Sequence, residues 1–126
     1  MKSPNRRLLY VEDHADTREL VSLLLERHNF DVVAVENPDE ALELARAQLF
    51  ELYLIDNQLP SYSGIVLCRK IRAFDSTTPI LFCSAAAYET DKNEALASGA
   101  QGYLVKPIDS DELIAEVTRL LTKLDR

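Results

Sequence analysis

Residues 52–64 read LYLIDNQLPSYSG: four apolar residues that stop at Asp56, a turn carrying Pro60, and a helix entry near Gly64. A short apolar run bounded by turn residues suits a strand buried on both faces. Comparable runs stand at 8–11, 31–35, 80–83 and 102–105. The stretches between them carry apolar residues at helical spacing. In 15–28 these are Thr17, Leu20, Val21 and Leu24, with His28 closing the stripe. Asn37-Pro38-Asp39-Glu40 reads as cap, first-turn proline and first-turn acids of a second helix running through Ala41, Leu42 and Ala45. A third helix is expected at 65–73 and a fourth at 89–98, closed by Gly99. A fifth follows Asp109-Ser110-Asp111-Glu112, with Leu113, Ile114, Val117, Leu120, Leu121 and Leu124 on one stripe.

Five strands alternating with five helices call for a parallel sheet with helices on both faces, joined by right-handed crossovers. Five strands are too few for a closed eight-fold barrel. The expected fold is therefore α/β: a doubly wound five-stranded parallel sheet in the flavodoxin-like order 2-1-3-4-5, with five flanking helices. Residues 1–126 are expected to form a single domain, with 1–5 flexible. The sequence leaves open a stand-alone protein or one domain of a larger one.

Composition narrows the function classes. The chain has a formal net charge of −7, which opposes direct binding to a nucleic-acid backbone. Its basic groups, Arg6-Arg7 and Arg69-Lys70 with Arg72, are short and read as solvated strand and helix ends. No apolar run approaches the roughly 20 residues that cross a bilayer. The start lacks the apolar stretch of a signal peptide, since Glu12 interrupts it. The expected location is cytoplasmic, with no membrane contact. Cys68 and Cys83 lie in apolar contexts without metal-ligand spacing and are expected to be reduced and buried.

In an open parallel sheet the site lies beyond the carboxyl ends of the strands, where strand order reverses. The polar residues at those ends are Glu12 and Asp13, Asp56, Ser84 and Lys106. Each alone would be a turn or cap residue. Together they set three carboxylates, a hydroxyl and an ammonium at one edge. Clustered carboxylates repel and need a cation, and hard oxygen donors suit Mg²⁺, with Mn²⁺ the alternative ion. His14 is a poor ligand for Mg²⁺ and is expected to face solvent, and His28 is read as a helix-end or surface residue. Tyr103 is either core or a mobile aromatic beside Lys106.

The segments LLYVEDH (8–14), LYLIDNQLPSYSG (52–64), ILFCSA (80–85) and GYLVKP (102–107) match in order and spacing one known pattern. The chain resembles the receiver domain of two-component response regulators, in its single-domain chemotaxis-regulator form. The resemblance implies that Asp56 is the phosphoacceptor. It makes Glu12, Asp13, Asp56 and the backbone carbonyl of Gln58 the protein's share of the Mg²⁺ shell. Lys106 and Ser84 would meet phosphoryl oxygens, and Lys106-Pro107 would be a cis step. Ser84 and Tyr103 would form the switch, Tyr103 swinging inward from a solvent-facing rotamer. The implied donor is a phosphohistidine on a histidine kinase or histidine phosphotransfer protein. The implied output is an altered face on the fourth helix, fifth strand and fifth helix, read by a partner or a second copy. Such a domain catalyses its own phosphorylation and dephosphorylation and is not a conventional enzyme. Departures from the family pattern are Leu59-Pro60, Ser63-Gly64, Ser84 in place of threonine, and the polar Asn57 after the acceptor.

Three rivals fit less well. A haloacid-dehalogenase phosphatase would need a second carboxylate where Gln58 stands. A nucleotide or flavin module would need a glycine-rich loop after the first strand, and the chain has only Gly64, Gly99 and Gly102. A docking-only pseudo-receiver would lack one of Asp13, Asp56 and Lys106.

Overall fold

The computed structural model describes residues 6–124, with side chains through Thr122. The expected flexibility of 1–5 and the side chain of Leu124 lie outside the described residues. The order is β1 (Arg6–Val11), α1 (Ala15–Arg27), β2 (Phe30–Val35), α2 (Pro38–Ala47), β3 (Leu52–Ile55), α3 (Gly64–Arg72), β4 (Ile80–Ser84), α4 (Glu89–Ala97), β5 (Gly102–Val105) and α5 (Ser110–Leu124). All strand pairs are parallel and the sheet order is β2-β1-β3-β4-β5, as the alternation requires.

Strand alternation divides the core in two. Leu9, Val11, Tyr53, Ile55, Ile80 and Phe82 face α2, α3 and Ala95 of α4. Leu8, Tyr10, Leu52, Leu54, Leu81 and Cys83 face α1 and α5. Burial on both faces explains why these strands read as unbroken apolar runs. Both cysteines are free and buried, as expected. β1, β2 and β4 extend past their apolar runs to include Arg6, Phe30 and Ser84, because ladder hydrogen bonds do not depend on side-chain polarity.

Helix ends follow local chemistry. Asn37 Oδ1 accepts from the Glu40 amide at 2.9 Å and Pro38 takes the first turn of α2. Gly99 adopts φ +118°, and the bonds Gly99 N–H to Leu96 O and Ala100 N–H to Ala95 O close α4 in a Schellman turn.

Two expectations need correction. The helical stripe of α1 is rotated: Val21 and Leu25 are buried, while Leu20 is 68% exposed. The run Val21-Ser22-Leu23-Leu24-Leu25 offers more than one stripe, and the sheet takes the one holding Val21 and Leu25. Nor are the basic side chains merely solvated. Arg72 donates from Nε and Nη2 to Gly99 O at 3.0 and 2.9 Å and from Nη1 to Asp75 O at 3.0 Å, tying α3 to the end of α4. Arg7 lies over the Phe50 ring and donates to Gln48 Oε1 at 2.9 Å.

At the amino edge of the sheet, Tyr53 donates its hydroxyl hydrogen to Asp75 Oδ2 at 3.0 Å, and Asp75 Oδ1 accepts from the Thr77 and Thr78 amides. Burial acts to raise the Asp75 pKa, but the bonds from Thr78, Thr77 and Tyr53 outweigh it and hold the carboxyl below its usual range. Such a group adds stability above the ordinary carboxylate pKa, and that stability is lost as pH falls through the depressed value. Tyr53→Phe is therefore expected to cost about 1 kcal/mol at neutral pH. The difference from wild type should shrink in acid. Urea melts of both proteins at pH 7 and pH 3 check this, and an equal cost at both pH values refutes it.

Candidate functional site

The sheet ladder continues one residue past β1, β3 and β5 and so sets the backbone of the site. Glu12 N–H bonds Val35 O at 3.0 Å, Asp56 N–H bonds Val11 O at 3.1 Å, and Lys106 N–H bonds Ser84 O at 2.9 Å. Parallel strands in register thus bring Glu12 of β1 and Asp56 of the adjacent β3 to one edge, where strand order reverses, and Lys106 reaches the same edge from β5 beyond β4. The Lys106-Pro107 peptide is cis, as the resemblance implied.

Their side chains meet there. Lys106 Nζ donates to Glu12 Oε1 at 2.6 Å and to Asp56 Oδ2 at 3.2 Å. Glu12 is fully buried and Asp56 nearly so. Glu12 Oε2 accepts from the His14 amide at 3.2 Å, and Asp56 Oδ1 accepts from the Gln58 amide at 3.1 Å. The Gln58 side chain is exposed.

The two buried carboxyls shift in opposite directions. For Asp56, burial raises the pKa; the Gln58 amide opposes this, the Glu12 charge adds to it, and Lys106 only partly offsets it, so the net shift is upward. For Glu12, burial also raises the pKa, but the short bond from Lys106 and the His14 amide prevail, so it falls below the usual range. Lys106 is lowered by burial and raised further by both carboxylates, for a net rise. Beneath them the Tyr10 hydroxyl is buried, and burial together with Glu12 pushes its pKa far up.

One ammonium therefore serves two buried carboxylates, and Asp13 adds a third at the rim, its side chain about one third exposed at 35%. That surplus of hard, anionic oxygen fits a divalent cation such as Mg²⁺. His14 is solvent-exposed as expected, yet its Nδ1 turns back to lie 3.3 Å from both Glu12 Oε2 and Asp13 Oδ1. Ligand-type atoms of Glu12, Asp13 and His14 all fall within 4.8 Å of one another.

Ser84 is fully buried at the end of β4, its Oγ accepting from the Ala86 amide at 3.2 Å. The structure differs from the expected solvent-facing Tyr103. Its ring is half-buried and stacked on Phe82, with centroids 6.1 Å apart and planes at 12°, and its hydroxyl donates to Ala86 O at 2.6 Å. The stacking surface of Phe82 and the free Ala86 carbonyl hold it inward. Ser84 and Tyr103 thus converge on opposite polar groups of the same alanine.

Three neighbours escaped the sequence reading. Asn57 Oδ1 accepts from the Ile65 amide at 3.1 Å and its carbonyl from Gly64 N–H at 2.9 Å, so the residue after Asp56 holds the first amides of α3, beside the N-cap Ser63. Its polarity at a position that is commonly apolar was the available signal. Gly64 is packed so tightly that a Cβ would lie 2.5 Å from the Asp56 carbonyl oxygen. Arg18 donates from Nη1 to the Glu12 carbonyl oxygen at 2.8 Å. Spacing alone carries no signal for that bond.

Comparison with known proteins agrees with this geometry. Response regulator receiver domains match residues 8–118. Response regulator ArlR of Staphylococcus saprophyticus is 36% identical over 117 residues, covering 93% of this chain and 53% of ArlR. Transcriptional regulatory protein ResD of Bacillus subtilis is 33% identical over 117 residues, covering 93% of this chain and 48% of ResD. The chain thus spans about half the length of these curated relatives. Among solved structures, a Francisella response regulator receiver domain superposes with TM-score 0.91 at 29% identity, covering 95% of this chain and 99% of that one. The receiver domain of the Pseudomonas aeruginosa sensor histidine kinase PA1611, which has a magnesium ion coordinated in its active-site cleft, gives TM-score 0.87 at 28% identity, covering 94% and 98%. The family is one of signalling domains rather than metabolic enzymes, and in two-component systems its members are phosphorylated by histidine kinases. With the strand order, the edge cluster and the match over 8–118 in agreement, the chain belongs to the response regulator receiver family and is a receiver domain of two-component signalling.

Proposed function

We propose that residues 1–126 act as one receiver unit in which Asp56 takes a phosphoryl group from a phosphohistidine. The observation that carries this reading is the buried Asp56 carboxylate bonded to Lys106 beside Glu12, at the carboxyl edge of the sheet. An Asp56 oxygen attacks phosphorus in line, the P–N bond to the donor imidazole breaks, and the nitrogen of the leaving imidazole recovers a proton. Because the donor is already negative, the chain's task is positioning and neutralising charge. Lys106 is placed to meet one phosphoryl oxygen and Ser84 Oγ another. Asp13, Asp56, the Gln58 carbonyl and, more remotely, Glu12 would hold Mg²⁺, or Mn²⁺ in its place, which supplies the remaining neutralisation. Hydrolysis of the acyl phosphate by water resets the domain.

The donor is a histidine kinase or histidine phosphotransfer protein. The output face is formed by α4, β5 and α5, where Tyr88, Leu96 and Val105 are exposed apolar side chains for a partner or a second copy. The domain works in the cytoplasm without direct nucleic-acid contact. Among the described residues no helix is long and apolar enough to cross a membrane.

Asp56→Asn removes the nucleophile while keeping the side chain's size. Incubation with Mg²⁺ and acetyl phosphate is expected to add one phosphoryl mass to wild type and none to the variant. Comparable labelling of the two would overturn the assignment. Because the Asp56 pKa is raised, stability is lost as pH climbs from the ordinary carboxylate range through that raised value, and the full cost is present above it. Without metal at pH 7, Asp56→Asn should therefore melt at a higher temperature than wild type.

The switch has its own test. Ser84→Ala is expected to leave Asp56 able to accept phosphate while uncoupling it from the outer face. Amide shifts in residues 84–108, recorded with and without beryllofluoride as a phosphoryl mimic, should spread through β5 in wild type. In the variant they should stay near Asp56. Shifts equally widespread in both proteins exclude this coupling.

A further inference from the structure

Glu12 and Asp13 are held in very different ways. Every polar group of Glu12 has a partner: its amide bonds Val35 O, its Oε1 meets Lys106, its Oε2 takes the His14 amide, and its carbonyl takes Arg18 Nη1 at 2.8 Å. Among the described residues the Asp13 carboxylate, by contrast, has only the His14 ring at 3.3 Å. Its position is inherited from its backbone. The peptide joining the two residues is planar and rigid, so whatever fixes the Glu12 carbonyl oxygen also fixes the nitrogen from which Asp13 hangs.

Arg18 does this from α1, and little else accounts for its placement. Its side chain is only 22% exposed, and Glu36, its acidic neighbour, stands at 4.0 Å. It lies in the first turn of α1, where the helix dipole disfavours a cation. A guanidinium placed there, largely out of water, delivers its charge to one backbone carbonyl.

We infer that Arg18 is a positioning residue for the metal-holding acid pair, acting through the Glu12–Asp13 peptide and touching neither metal nor phosphoryl group. The inference rests on the metal site proposed above. Hydrogen bonds that orient ligands from behind commonly set metal affinity within a factor of about 10 to 100.

The test compares Arg18→Met, which keeps the apolar stem, with Arg18→Lys, which keeps the charge but loses the planar fork. Calorimetric Mg²⁺ titration is expected to show affinity about 10-fold weaker or worse in Arg18→Met and an intermediate loss in Arg18→Lys. In metal-free protein, the Glu12 carbonyl carbon should move upfield in Arg18→Met as its hydrogen bond is lost. In acetyl phosphate labelling, the defect should fall more on the half-saturating Mg²⁺ concentration than on the limiting rate. A folded Arg18→Met protein with Mg²⁺ affinity within twofold of wild type overturns the inference. If that variant does not fold, Arg18→Lys decides, and wild-type affinity there overturns it. Asp13→Ala separates the two layers. Affinity lost in Asp13→Ala but kept in Arg18→Met removes the role of Arg18 alone, whereas affinity kept in both removes the metal site beneath it.

Discussion

Two buried carboxylates share one ammonium, and the arrangement of the whole carboxyl edge depends on that imbalance. Lys106 spans Glu12 and Asp56 with bonds of 2.6 and 3.2 Å, and the shorter goes to Glu12. The consequence is a division of labour. Glu12 is neutralised by the chain itself and kept ionised, while Asp56 is left under-compensated, its charged form raised in energy by burial. A carboxylate in that condition gains from any positive charge that arrives. A dry site makes such electrostatic terms stronger than water would allow.

Geometry at this precision comes from the sheet rather than from side chains. Parallel ladders align Val11 with Ile55 and Ile55 with Phe82, so the next residues emerge side by side. Asn57 and Gly64 then lock the acceptor's backbone to α3. The first accepts from the helix's opening amides, and the second admits the Asp56 carbonyl where a side chain would collide.

Much of this was legible in the sequence because it depends on periodicity and on strand ends. The alternation of runs such as 8–11 and 52–55 with helical stripes forces a parallel sheet, and the switch point follows from the strand order. Glu12, Asp13, Asp56, Ser84 and Lys106 stand out because polar residues at the ends of buried strands are few. What stayed hidden depends on three-dimensional choice among local equivalents. Leu20 and Val21 are both apolar and adjacent, and only docking against β1 and β2 decides which turns inward. Arg18 and Arg72 look like surface cations because a carbonyl acceptor leaves no trace in composition. Tyr103 reads as core or as switch from sequence. Its inward rotamer follows from the Phe82 ring and the Ala86 carbonyl, which lie on other segments.

The Arg72 clamp has a mechanical consequence. Its two bonds to Gly99 O, with Cys68 Sγ reaching Ser98 O and the Schellman turn, fasten the carboxyl end of α4 to α3. Among the described residues the amino end carries local bonds, Tyr88 N–H to Asp91 and the Asp91 and Lys92 amides to Tyr88 O, together with the Tyr103 and Ser84 contacts at Ala86. A helix of nine residues is about 13 Å long. Fastened at one end, it is a lever with its fulcrum at Gly99 and its free end beside Ser84. Any shift of the buried edge that moved this helix would have to turn about Gly99, and Tyr88, farthest from that point, would travel most.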